Sequence, residues 1–381
     1  MRARNSLFWI PFLLSVSLHA QGFQLEFGGS NLQHAVATVS DATGHTTLVR
    51  ETFPQGDKVR IRVLRTTLQG QNQQWYDVAI PGACFVQAAV ASGDGNITLC
   101  GSRIAPGRSD QDALIAKISP TGTVLWSWTS NTPDLQEQLL DVRRTDDGGY
   151  IACGSRRDTT DSDALLVRLD ASGNLQWQQR YGTAADETVN SVDFDGNGYM
   201  VAGRITGFDN NVDGYVLRAD NAGVEQWWQS WGGVKQDLFK GIVRSGNDFV
   251  MAGYTDSYGP QVGSLHVRSV YLIAMNAAGD TLWTRTLGDI GQASAAEDIQ
   301  VASNGEFFVA GQAGSNHLTD GMVMRITATG NQIWKRTYDL ENEDVLHRLT
   351  VLPDGGFIAA GRAFGPNGIQ AALVRKNASG N

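Results

Sequence analysis

Hydrophobic and polar residues alternate along this chain in short runs that are cut at regular intervals by glycine-rich turns. Between residues 137 and 182 the order is Leu139 to Arg144, the turn Asp146-Asp147-Gly148-Gly149, Tyr150 to Gly154, a polar loop, Asp163 to Leu169, the turn Ala171-Ser172-Gly173-Asn174, and Leu175 to Gly182. Alternation with period two predicts strands, and Asp-Gly and Gly-Asn pairs supply the positive φ that tight hairpins need. The stretch therefore predicts four short strands joined by two tight hairpins and one longer loop. The same order returns around Gly198 to Gly203 and Gly355 to Gly361. No helical period of any length competes.

The unit repeats. A Gly followed four residues later by Trp occurs at Gly122/Trp126, Gly173/Trp177, Gly223/Trp227, Gly279/Trp283 and Gly330/Trp334, with a fifth-position variant at Gly70/Trp75. Successive glycines are 52, 51, 50, 56, 51 and, to Gly380, 50 residues apart, which makes seven repeats. Four strands in about 50 residues cannot bury both faces alone and must stack on neighbours around an axis. The predicted fold is all-β, a seven-bladed β-propeller of four-stranded antiparallel blades. The chain stops at Asn381, before a seventh Trp, while Phe23-Gln24-Leu25-Glu26-Phe27-Gly28-Gly29 matches Trp177 to Gly182 in its aromatic and Gly positions. A strand over 23–29 is therefore expected to complete the last blade, which removes two exposed sheet edges.

Composition narrows the setting. The 381 residues include 44 Gly, 10 Trp and 41% hydrophobic residues, enough for a core, with a net charge of −9. An acidic balance argues against nucleic acid as a partner, because such binders cluster Lys and Arg. Arg2 and Arg4, the apolar run Leu7 to Leu18 and the small-residue site at Ala20 predict a signal peptide over 1–21 followed by a single domain over 22–381. The apolar run is too short to span a bilayer, so no membrane insertion is expected and the product is exported: periplasmic, cell-surface or secreted. Of the cysteines, Cys100 and Cys153 precede a Gly where sister repeats carry Ala202, Ala252, Ala310 and Ala360. Buried duty in place of a small residue is the expectation for them.

The units resemble the glycine-rich propeller repeats of exported bacterial proteins, through Asp-Gly-Gly-Tyr-Ile-x-x-Gly, Asp-x-x-Leu-x-Lys/Arg and Asp-x-x-Gly-x-x-x-Trp. The last element, seen in Asp170 to Trp177, is also similar to the tryptophan-docking motif of quinoprotein-like propellers. The resemblance covers residues 23 to 381 and implies a fold more than a function. Quinoprotein enzymes of this shape usually have eight blades, calcium ligands around the quinone and often a vicinal Cys pair; seven repeats without adjacent cysteines depart from that pattern.

Candidate chemistry is sparse. Asp193 to Gly198 satisfies the first half of a calcium-loop pattern, but Arg204 stands where a bidentate Glu belongs and the segment coincides with a hairpin turn. The acids Asp112, Asp163, Asp213 and Asp320 recur ten residues before the Gly, which predicts a local hydrogen-bonding role at the start of each third strand. Asp186, Asp237 and Asp344 are expected to tie adjacent blades through backbone amides. The histidines share no motif, and no nucleophile elbow, His-Glu-x-x-His or phosphate loop occurs. No catalytic, cofactor-binding or metal-binding residue is expected. The hairpins after strands one and three are short and alike, whereas the loops after strands two and four vary and lie on one face. The longest, between Gly253 and Ser269, carries Tyr254, Tyr258, His266 and Arg268; neighbouring loops add Arg103, Arg156, Arg204 and Arg362. Tyr with Arg is the composition of binding hot spots. The expectation is an exported recognition or scaffold module that binds a protein or glycan at the cell exterior without catalysis and without cofactor. The alternative is a propeller enzyme, a polysaccharide lyase or a quinone-dependent oxidoreductase.

Overall fold

The computed structural model describes residues 22–28, 31–53, 59–207, 209–315, 318–366 and 368–381, so the expected signal segment lies outside the described residues. All regular elements among them are strands, thirty in number. Repeats 1 to 5 each form a separate antiparallel sheet of four strands in sequence order. The template repeat gives Gln136–Arg144, Tyr150–Arg157, Ser162–Leu169 and Leu175–Tyr181. A two-stranded hairpin, Gln261–Val262 with Leu265–His266, interrupts repeat 5 in its long loop.

Repeats 6 and 7 fall in one eight-stranded sheet, joined at a single parallel bridge between Thr319 and Glu343. Its outermost strand is Phe23–Phe27, which pairs antiparallel with Gly368–Lys376, Phe23 opposite Arg375 and Phe27 opposite Ala371. The N-terminal strand thus supplies the fourth strand of repeat 7, as the matching aromatic positions predict.

The core lies between sheets. Seven clusters of buried apolar side chains each span two successive repeats, from Val63 with Leu99 between repeats 1 and 2 to Phe308 with Phe357 between repeats 6 and 7. The seventh joins repeat 7 to repeat 1 through Phe27, Leu373, Ala35 and Val49. The first strands of successive repeats lie against one another, and that of repeat 7 against that of repeat 1. The indoles clasp neighbouring repeats: a Cβ placed on Gly223 would come within 3.1 Å of the Trp177 ring, and Trp177 Nε1 donates to Asn221 O at 3.2 Å. Phe23 takes that place against Gly70. Cys84, Cys100 and Cys153 are buried free thiols.

Candidate functional site

Every first strand carries a β-bulge at the same position. The register skips one residue in each, namely Val36, Gln87, Leu140, Asn190, Lys240, Glu297 and His347. A bulge leaves its extra residue out of the ladder and re-aims its side chain, which is why bulges recur beside active sites. Here all seven bulged residues line one cavity of about 270 Å³, with His34, Arg50, Arg348 and Arg362 among the others. The glycine closing the Tyr-Ile-x-x-Gly pattern belongs to this geometry: a Cβ on Gly154 would stand 1.9 Å from Gln138 O, and one on Gly361 1.9 Å from Val345 O. The second strand can approach the bulged strand so closely only without a side chain.

The cavity gathers ionisable groups. His34 pairs in register with Arg50, and Val345 with Arg362. Burial, reinforced by the positive charges of Arg50, Arg362 and His347, pushes the His34 imidazole down to about 3 and keeps it neutral. Burial disfavours the Glu297 carboxylate, but His347, Lys240 and Arg348 overcome it and hold the group at about 2. Glu297 Oε2 lies 3.7 Å from His347 Nδ1 and 3.8 Å from Lys240 Nζ. Beneath these groups sits a buried charged floor. Arg348 donates to Leu140 O at 2.6 Å and lies 3.7 Å from Asp141, while Arg143 Nε donates to Val192 O at 3.1 Å. Asp141 accepts from Val192 N, Asp193 from Arg244 N and Asp298 from Leu349 N, at 3.2, 2.8 and 2.8 Å, each across to a following repeat.

The residues singled out in the sequence are distributed more widely. Arg362 belongs to this cavity. Arg204 and Tyr254 occupy the equivalent position in repeats 4 and 5, each next after the glycine opposite the bulge. In the long loop each of the expected anchors is engaged within the protein. Arg268 makes a bidentate pair with Asp256 at 2.8 and 2.7 Å and covers the Tyr254 ring at 4.0 Å. Tyr258 is 46% exposed, yet its hydroxyl donates to Gly232 O at 2.5 Å. His266 Nδ1 donates to Gly259 O at 2.6 Å, leaving Nε2 to accept from Gln261. Arg156 lies 3.7 Å from Glu137, and Arg103 stands one residue before the end of its strand, opposite Cys84 and Asp112.

The recurring acids are not isolated. Asp163 stands near Glu187, Asp213 near Asp237, and Asp320 near Asp344, each pair crossing from a third strand to the next first strand. The carboxylate oxygens of Asp320, Asp339 and Asp344 lie within 4.8 Å of one another. Of the expected inter-repeat ties, Asp186 makes one, to Ser162 N at 2.9 Å, whereas Asp237 and Asp344 hold the loops that lead into their own strands. In the calcium-like segment Asp195 pairs with Arg218 at 2.8 Å and caps Asn197 N.

No protein-family model matches the chain, and no curated protein is similar to it in sequence. Solved structures are similar in shape. The β-propeller domain of the trilobed protease from Pyrococcus furiosus aligns at TM-score 0.51 and 7% identity, over 91% of this chain and 93% of that one. The fold is a β-propeller. The polysaccharide lyase Uly1 aligns at TM-score 0.53 and 9% identity, over 91% and 90% of the two chains. An α-L-arabinanase from Penicillium chrysogenum aligns at 0.50 and 11%, over 94% and 98%. At such identities the likeness shows the fold alone. It nevertheless corrects the expectation of a propeller without catalysis, since two of these propellers are enzymes. The physical reason is that this fold gathers ionisable groups from strands about 50 residues apart, so the lack of a linear motif excludes no chemistry. Sequence reasoning missed the bulged ring entirely, although the glycine opposite each bulge was its signal in six of the seven repeats.

Proposed function

We propose that this chain is an exported propeller, with residues 1–21 as signal peptide and 22–381 as one ring of seven blades closed by Phe23–Phe27, that recognises a glycan or protein segment of the cell exterior at its axial mouth. The carrying observation is that one bulged residue from every repeat converges on a single cavity. Seven independent departures from the ladder at one position suit ligand contact better than stability, since each leaves a residue unpaired. The cavity opens toward the face of the variable loops, because His34, Arg50 and Arg362 lie where first strands begin and second strands end. Recognition there agrees with the placement of loops on a rigid scaffold.

A second reading, chemistry at the same mouth, is favoured by the Glu297–His347 contact of 3.7 Å, a carboxylate beside an imidazole with access to the cavity. The test of both is a glycan array and a pull-down from cell-surface extract, with wild type and Gln87→Trp, which fills the mouth. Binding in wild type that is lost in Gln87→Trp at unchanged melting temperature supports the axial site. Binding that survives the plug and falls instead on trimming 261–266 moves the site to the long loop. Product release from bound glycans, abolished in Glu297→Gln, selects the second reading.

A further inference from the structure

On the side formed by repeats 7 and 1, the axial mouth presents cations without an acid. Arg50 and Arg362 follow Val49 and Gly361 at equivalent positions, and both line the cavity beside His34. Among the described residues neither guanidinium makes an ion pair, although most other strand arginines that face a neighbour do so, such as Arg168 with Asp147 and Arg218 with Asp195. The two are close enough to oppose each other: burial and the charge of Arg362 both lower the pKa of Arg50. Glu297, on the adjoining repeat 6, is already compensated by Lys240, His347 and Arg348. Partly buried like charges left uncompensated are costly, and a negative group delivered by a ligand removes that cost.

The rest of the lining describes the body that carries the charge. Gln87 makes no side-chain hydrogen bond among the described residues, and Asn190 spends its Nδ2 on Phe239 O at 2.7 Å, leaving its oxygen to accept. Val36 and Leu140 add two apolar patches to these amides. An acidic sugar matches all three features, with one carboxylate, several hydroxyls and an apolar C–H face. A cavity of about 270 Å³ is at the small end for ligand sites and suits a single ring. Resting on the reading of the axial mouth as the recognition site, we propose that Arg50 and Arg362, with His34 beside them, form an anion subsite for the carboxylate of a uronate unit in a glycan. The planar guanidinium fork fits a carboxylate bidentately, which Lys cannot reproduce.

The experiment is calorimetric titration of the mature chain with a galacturonate tetramer, the neutral galactose tetramer, a sulfated oligosaccharide and a hexaglutamate peptide, at low and high salt. The expected result is binding of the galacturonate tetramer, weakened by salt, with about tenfold or greater loss in Arg362→Ala and in Arg50→Ala and only partial retention in Arg362→Lys. Should an Ala variant melt early, Arg362→Gln, which keeps hydrogen bonds but no charge, is expected to show the same loss. Equal affinity in wild type and both Arg variants overturns the subsite, as does tetramer binding that is indifferent to salt. Preference for the sulfated sugar or the peptide overturns the uronate assignment. A ligand lost in Gln87→Trp but kept in Arg362→Ala would leave the axial mouth standing while this subsite falls.

Discussion

Asp344 is fully buried and within reach of two other carboxylates. Burial raises its pKa to about 6, and the charges of Asp320 and Asp339 add to the rise, against the lowering effect of the Leu340 and Glu341 amides it accepts from. A carboxyl raised in the folded state contributes its stability fully below the unfolded pKa, near 3.8, and loses it as pH climbs through 6. A shift of this size corresponds to about 3 kcal/mol. Asp344 should therefore add to the stability of the wild type as pH is lowered from about 7.5 to about 5, against His34, which is held down to about 3 and takes stability away in the same window. Groups held low, such as Glu297 at about 2, act only well below that window. Asp344→Asn keeps one oxygen for the loop amides and turns its NH2 toward the other acids, so it should remove the Asp344 contribution from the pH profile and raise the melting point at the alkaline end. A thermal-denaturation series whose slope is the same in both proteins would show that the three acids do not titrate together.

At the scale of the element, the Gly-to-Trp spacing is a clasp between repeats. Trp177 packs on Gly223, meets Tyr199 edge-on at 5.7 Å and donates to Asn221 O, all in the next repeat. Trp177→Ala should cost about 3 kcal/mol through the cavity it leaves. Gly223→Ala should cost about 1 to 2 kcal/mol, because its φ of +79° disfavours a side chain and the new methyl meets the indole. Trp228, beside the clasping Trp227 but 40% exposed, serves as the control and should cost less than about 1 kcal/mol on truncation. Denaturant titration orders the three, and a Trp228→Ala cost equal to that of Trp177→Ala would remove the special status of the clasp. These features were legible because each is written within one repeat: alternation, turn dipeptides and the Gly-to-Trp interval are local and periodic. The lining of the axial cavity was not, because its members are single residues such as Gln87, Asn190 and Glu297, which share no type and differ from repeat to repeat. The long loop of repeat 5 is the opposite case. Its Tyr and Arg residues stand together in the sequence, and in the structure Arg268 is held by Asp256 and the Tyr254 ring while the Tyr258 hydroxyl is held by Gly232 O.

For the whole molecule, the decisive contact joins residues more than 340 positions apart. Phe23–Phe27 adds the fourth strand to repeat 7, and Phe27, buried to 6% exposure, packs edge-on against Trp75 of repeat 1 at 5.7 Å. Phe23 meets the Gly70 turn and His45, where the other repeats place an indole. A solenoid can shed an end repeat and keep the rest, but here repeat 7 packs on repeat 1 and leaves no end repeat with a free face. Removing residues 22–28 takes away five paired positions, with ladder hydrogen bonds worth about 1 kcal/mol each net, and two aromatic side chains worth roughly 2 kcal/mol each. It also bares Gly368–Lys376 as an edge and opens the cluster between repeats 7 and 1. The truncated protein should melt far below the wild type and self-associate on size-exclusion chromatography with light scattering. A synthetic peptide of residues 22–28 added in excess should restore both the melting temperature and the monomer peak, by strand addition to the bared edge. Truncation without loss of stability would mean that the N-terminal strand decorates the ring and the seventh sheet is complete with three strands; loss without peptide rescue would leave closure intact and assign the effect to the missing covalent connection.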